Sequence, residues 1–236
     1  MRYRDIAPEG ERLARLVAEI SAKGYNPHVM LGEYRSITTP TLGPFCPVLP
    51  HISQSVKRRP SPYPHGDRLA TLDYIRDSDY IHFTDTTPRD FTQSNSGNRF
   101  RLAEDRLIGP YLDNVGYFSI ENGGGAHFHV AMMANMTYPF EEAKEWNSFA
   151  PKTFKQLLVR STNVLGYTPQ PSNLMRKTGE MICEYYQVVR CFDFLNHIEN
   201  MRPIAEVVLS HRDVIFEPAI SLSYSKEFDV PHYLDV

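Results

Sequence analysis

The 236-residue sequence lacks any apolar run approaching the roughly 18 to 20 residues needed to span a bilayer. Its opening stretch, MRYRDIAPEGER, is too polar for a secretory signal, so no direct membrane span is expected and a cytoplasmic location is the default. A basic surplus is also missing: 25 Lys and Arg stand against 28 Asp and Glu, for a net charge of -3. That balance disfavours nucleic acid as a partner, and the one basic cluster, Lys57 to Arg59, reads as a solvated linker face among prolines. Cysteine is scarce. Cys46, Cys183 and Cys191 are odd in number and show no metal-ligand spacing, which excludes a disulfide framework and a zinc knuckle. What remains, 42% hydrophobic and 22% charged residues, is the composition of an ordinary globular chain of one or two domains.

From Glu9 to Ala22 the apolar residues Leu13, Leu16, Val17 and Ile20 recur at helical spacing, and Gly24 and Pro27 stop the run. Residues 1-28 are therefore read as an N-terminal helical segment. Seven of the eighteen prolines fall between Pro40 and Pro64, a density that no helix or central strand tolerates. Residues 29-66 are read as a proline-rich extended linker. Beyond a short helix, Asp67 to Arg76, strand-like runs recur at Tyr80 to Thr84, Tyr117 to Ile120, Phe154 to Val159, Val188 to Phe192 and Ile215 to Leu222. Helix-like segments lie between them: Leu102 to Asn114, His127 to Phe149 with a break at Pro139, Ser172 to Tyr185, and Ile198 to His211. Regular alternation of this kind makes βα units and a parallel sheet, because parallel neighbours need a crossover.

Each strand runs into a polar or glycine-rich loop, and in parallel α/β sheets chemistry collects at the carboxyl ends of the strands. The loop DTTPRDFTQS, Asp85 to Ser94, is the most heavily functionalised, with two carboxylates, an Arg, a Gln and three Thr hydroxyls ahead of its final Ser. Asp90 can be a metal ligand there, or a cap, or simply the partner of Arg89. Arg160, behind the apolar run QLLV, can hold a carboxylate bidentately through its planar fork, or be a surface arginine. The Gly123-Gly124-Gly125 run permits close backbone approach but carries no Walker or dinucleotide pattern. His127 and His129 form a His-x-His that would face one way on a strand and diverge by roughly 200° on the helix expected here.

Four loops, DTTPRDFTQS, SIENGGGAHFHVAM, QLLVRSTNVLGY and VVRCFDFLN, resemble in order and spacing the first four βα loops of the carboxyltransferase barrel of biotin-dependent carboxylases, of the pyruvate carboxylase and oxaloacetate decarboxylase alpha-subunit type. The resemblance runs from about Gly66 to about Tyr224, and Glu9 to Pro27 resembles the helix that follows the biotin carboxylase domain in single-chain members. It implies a partial TIM-type (β/α) barrel over 67-236, with about five βα units. The implied activity is transfer of CO2 between carboxybiotin and a 2-oxo acid such as pyruvate, to give oxaloacetate, or the reverse. Asp90 is then a ligand of a divalent metal, zinc or manganese. Arg160 and Gln93 are substrate-binding residues, and Arg89, Gln93, Arg160 and Tyr167 form the catalytic set. Glu121 and Asp193 support the loops. The implied partners are a biotin carboxyl carrier domain or subunit, the remaining part of the barrel or carboxylase subunit, and the 2-oxo acid, in a homo- or hetero-oligomer.

The sequence also departs from that pattern. Pro88 and Phe91 replace the usual Phe and Ala, Thr92 stands where His is usual, and Gly123 where Trp is usual. Thr and Asp are usual at His127 and His129, and the family's metal-binding His-x-His lies in a later segment. An eight-fold barrel takes about 250 residues, and the stretch from Tyr80 onward suffices for about five of its strands. Two strand edges and an apolar inner face are then expected to lie open, surfaces that drive self-association or recruit a partner. The family's carbamylated lysine, its His-x-His and its proton-relaying threonine have no counterpart in this sequence. Activity as this chain alone is therefore not expected. The alternatives are a non-catalytic scaffold or truncated partial-barrel subunit, and a metal-dependent lyase of the related barrel group.

Overall fold

The structure, a computed structural model, describes residues 63-222 and Tyr233. The N-terminal helical segment and nearly all of the proline-rich linker lie outside the described residues. The first element is α1 (Arg68–Arg76), which starts where the Asp67 carboxylate accepts from the backbone N–H groups of Leu69 and Ala70 at 3.0 and 3.1 Å. Five strands follow: β1 (Thr84–Asp85), β2 (Ser119–Gly124), β3 (Phe154–Arg160), β4 (Val188–Asp193) and β5 (Ile215–Ile220). The helical connections are a π-helical turn (Thr87–Phe91) with α2 (Thr92–Ser96) and α3 (Leu102–Val115), then α4 (Gly125–Val130), a second π-helical turn (Ala131–Asn135) and α5 (Pro139–Phe149), then α6 (Ser172–Cys183) and α7 (Ile198–Ser210).

All pairings are parallel and the spatial order is the chain order, β1-β2-β3-β4-β5. A doubly wound sheet would reverse direction at a switch point. This one never does, so it curls as a half-barrel of the TIM type, as the loop pattern implied.

Strand parity divides the core. Leu157, Val159, Val189 and Cys191 point outward and pack with Met175, Ile182, Met201, Ile204 and Val208 of α6 and α7. Burial among these side chains pushes the Cys191 thiol up to about 12, and that of Cys183 likewise, in keeping with packing thiols. The opposite parity lines the inside. At the amino-terminal end Phe154, Val188 and Ile215 close against Tyr63, with Tyr74 and Ile75 of α1 and Phe118 around them. One layer higher the inner face is polar, between that apolar layer and Leu158, Phe192 and Ala219, which share the same parity two residues on. Gln156 and Arg190 bond Glu121, which is fully buried, and Glu217 pairs with Arg190.

Three boundaries differ from the sequence reading. The first strand is only Thr84–Asp85, because Tyr80, Ile81 and Phe83 are 80, 80 and 62% exposed and find nothing to pack on. The second begins later and ends in the glycines, with a bulge between Glu121 and Gly123. The loop TPRDFTQS is helical, wound as a π turn led by Pro88 and continued as α2.

Candidate active site

The site is assembled at the carboxyl ends of β1, β2 and β3. Behind β1, Asp85 accepts from the Thr87 N–H (3.0 Å) and hydroxyl (3.1 Å), which sets the start of the π turn. Thr92 Oγ1 donates to the Pro88 carbonyl at 2.7 Å, locking the other end. The turn presents Arg89 toward the barrel interior. Its Nε and Nη2 reach Glu121 Oε1 at 2.6 and 2.5 Å, while Nη1 donates to Asp90 Oδ1 at 2.8 Å. A fork bound on two sides fixes its carboxylates in direction as well as in place. Asp90 itself is half exposed and meets no other described cation.

Arg160 ends β3. The chain turns tightly after it, with Val164 N–H donating to the Arg160 carbonyl at 2.6 Å and Val164 at a positive φ of 51°. That turn carries Tyr167 back under Arg160, whose guanidinium carbon lies 4.8 Å from the ring centre. Consecutive glycines bring the two arginines together. A Cβ on Gly124 would lie 3.3 Å from the Arg89 side chain, and one on Gly125 would lie 3.6 Å from Arg160 Nε. Gly124 and Gly125 are thus a ledge that carries the Arg89 stem and the Arg160 guanidinium, a role for the glycine run that its sequence did not specify.

Gln93 is the exception among the expected residues. It is exposed on α2 and takes no part in the bonds that join Arg89, Asp90 and Glu121. Asp193 lies deeper and accepts from Ser161 Oγ (2.8 Å), Asn200 Nδ2 (2.9 Å), and the N–H groups of Leu195 and His197 (3.0 Å each). Burial opposes its charge, but these donors prevail and hold the carboxyl below its ordinary range. It ties the loops after β3 and β4 together.

The two histidines diverge, as a helix requires. His127 Nε2 meets Glu142 Oε2 at 3.1 Å, and Thr137 donates to the same carboxylate at 2.6 Å. Burial pushes Glu142 up, yet these bonds leave it below the ordinary value. His129 instead sets its ring edge-on to Tyr167, centroids 5.1 Å apart. Among the described residues no group of three or more His, Cys, Asp or Glu is placed to hold a metal ion, so the residues described do not by themselves fit one.

Sequence reasoning missed Gln156, Arg190 and Glu217. Arg190 donates to Glu217 through Nε (3.1 Å) and Nη2 (2.8 Å) and reaches Glu121 Oε2 at 3.3 Å; Gln156 Nε2 donates to the same oxygen at 2.9 Å. A polar residue of inward parity in an otherwise apolar strand, as in VVRCF, was the available signal. A separate groove of about 490 Å³ lies far from this chemistry, on the outer face between α7 and β5, lined by Ile198, Met201, Leu209, Phe216 and Ile220.

No family model matches the sequence. The chain is 37% identical over 150 residues to mitochondrial pyruvate carboxylase of Rattus norvegicus, covering 62% of this chain and 13% of that protein. It is 31% identical over 156 residues to a pyruvate carboxylase subunit of Methanothermobacter thermautotrophicus, covering 66% of this chain and 27% of that one. The carboxyl transferase domain of Rhizobium etli pyruvate carboxylase, solved with 3-bromopyruvate, superposes with a TM-score of 0.64 and 28% identity over 69% of this chain and 29% of that one. The chain spans less than a third of the length of each.

Proposed function

We propose that this chain, a relative over part of its length of the carboxyltransferase domain of pyruvate carboxylase, supplies the amino-terminal half of a site that moves CO2 between carboxybiotin and a 2-oxo acid. The observation that carries the reading is Arg160. It stands at the carboxyl end of a barrel strand beside a second arginine, and no described carboxylate lies within ion-pair distance of it, whereas Arg89 and Arg190 are both paired. A guanidinium backed by an aromatic face and left without an internal anion is suited to a carboxylate from outside.

In this reading Arg160 holds the substrate carboxylate bidentately and so orients the adjacent keto carbon. Arg89, itself fixed by Glu121, keeps Asp90 turned toward the open side of the site. Tyr167 and Gln93 offer a phenol and an amide to an enolate or a ureido oxygen. Carboxybiotin, delivered by a carrier domain or subunit, would supply the CO2 when bound. Asp90 would be one ligand of a divalent metal whose other ligands come from the remaining part of the barrel. Among the described residues β1 pairs only with β2 and β5 only with β4, which fits a chain working with such a partner in a homo- or hetero-oligomer. No helix among the described residues is long and apolar enough to cross a membrane.

The test is co-expression with a carboxyl-terminal barrel segment bearing the lysine and His-x-His motifs. Biotin-dependent oxaloacetate chemistry should appear in the complex, and Arg160→Lys should depress it about tenfold or more, since an ammonium cannot reproduce two parallel bonds. Undiminished turnover in Arg160→Lys would show that the carboxylate is held elsewhere.

A further inference from the structure

Arg160 is not the only donor over this ledge that lacks an anion. Its one described side-chain bond is a long one, from Nη1 to the Gly166 carbonyl at 3.4 Å. His129 lies on the same Tyr167 ring, its centroid 5.1 Å from the ring centre against 4.8 Å for the Arg160 guanidinium carbon. Neither nitrogen of His129 bonds to a described residue, and the side chain is exposed. His127, two residues earlier, is by contrast partly buried and committed to Glu142. Arg89 and Arg190 are committed to Glu121, Asp90 and Glu217. Beside the ledge, therefore, Arg160 and His129 both lack a described anionic partner, and each lies about 5 Å from the centre of one aromatic ring.

A monocarboxylic 2-oxo acid uses one of them. Its far end is a methyl or alkyl group, which gains nothing from an imidazole N–H. A short 2-oxo diacid presents a second carboxylate a few bonds from the first, within reach of the second donor. Resting on the reading of Arg160 as the carboxylate-binding residue, we infer that His129 and Arg160 form a two-point anion site and that the chain favours a 2-oxo dicarboxylic acid over a 2-oxo monocarboxylic one. Arg160 takes the carboxylate next to the keto group. His129 takes the distal one and determines specificity.

The experiment is isothermal titration of the full chain with 2-oxoglutarate and, separately, with pyruvate. The wild-type chain should bind 2-oxoglutarate about tenfold more tightly, the scale of one charge-assisted hydrogen bond. His129→Asp, an exposed substitution that sets a carboxylate against the distal one, should abolish the preference by weakening 2-oxoglutarate more than pyruvate; His129→Gln, which keeps a donor, should retain part of it. Arg160→Gln should weaken both acids. Equal affinities in the wild type, or a preference untouched by His129→Asp, would overturn the diacid inference while a loss of pyruvate binding in Arg160→Gln still upheld the carboxylate site. If Arg160→Gln changed neither affinity, or neither acid bound the wild type, the reading of Arg160 and the inference built on it would fall together.

Discussion

Replacing Glu121 by Gln tests the centre of the site without changing its shape. Glu121 is fully buried and one carboxylate serves three donors: Arg89 at 2.6 and 2.5 Å on Oε1, and Gln156 at 2.9 Å with Arg190 at 3.3 Å on Oε2. The Arg89 and Arg190 side chains are only 14 and 25% exposed, so water compensates little. Removing one partner of a buried ion pair costs about 3–5 kcal/mol. Here both arginines keep a second carboxylate, Asp90 and Glu217, which places the expected loss at the low end, about 3 kcal/mol. For a domain of this size that lowers Tm by about 6–12 °C. The sole tryptophan, Trp146, is buried and reports unfolding in urea by its fluorescence. Glu217→Gln is the control: its partner Arg190 retains Glu121, its own side chain is 37% exposed, and the cost should stay below about 1 kcal/mol. Equal losses in the two variants would refute the claim that Glu121, and not the general charge balance, organises the inner face.

Asp105 gives a pH signature. Burial pushes it up to about 6 despite the Trp146 Nε1–H bond at 3.2 Å, so between about 4 and 6 the folded chain holds a proton that the unfolded chain has released. Its contribution is present at low pH and lost as pH rises through 6. Asp105→Asn should therefore raise stability by about 1–3 kcal/mol at pH 7.5 and the gain should vanish near pH 4, read as urea midpoints. Purified chain should contain clearly less than one equivalent of zinc or manganese by elemental analysis, because Asp90 stands without described co-ligands. A full equivalent surviving Asp90→Ala would redirect attention to the histidines. Gly123→Ala should cost about 1–3 kcal/mol, since its Cβ would meet Leu157 Cδ1 and Tyr186 Oη at 2.8 Å each, and Tyr186→Phe in the same chain should recover part of the loss in a double-mutant cycle.

The sequence disclosed the fold where periodicity was long and two-sided. Strands β3, β4 and β5 and helices α3, α6 and α7 lie within two residues of where their patterns put them, because alternate residues feed separate cores and a one-residue slip would bury the wrong set. It failed where structure depends on neighbours. Tyr80 to Phe83 looks like a strand by composition, yet among the described residues its one backbone bond to a neighbouring strand's lead-in is at the Phe83 carbonyl, which accepts from Phe118 N–H at 2.8 Å. The polar run TPRDFTQS reads as a loop, and it is helical, with Asp85 accepting from Thr87 N–H ahead of it and Thr92 bonding back to the Pro88 carbonyl. Asp193, read as a strand-end carboxylate that bonds neighbouring loops, does so through Ser161 and Asn200. Arg190 and Glu217 were not legible in this way, since their pairing depends on the register of β4 and β5 and Arg190 reaches Glu121 from two strands away.

That polar layer also relocates what this half-barrel leaves unfinished. A closed barrel fills its interior with branched apolar side chains stacked in layers. Here the lowest layer is apolar and already closed by Tyr63 and α1, and the next satisfies itself through the Glu121, Arg190 and Glu217 pairs. That layer can therefore meet water without a large apolar penalty. Apolar side chains are exposed at the margins as well. Tyr80, Ile81 and Phe83 are exposed beside β1, and Ile198, Leu209 and Ile220 are exposed around the groove on the far side, where β5 pairs only with β4 among the described residues. Exposed apolar rims flanking unpaired strand edges favour closure by further βα units over stacking face to face. An assembly built on those edges would leave the ledge carrying Arg89, Arg160 and His129 open to a substrate entering from the carboxyl ends of the strands.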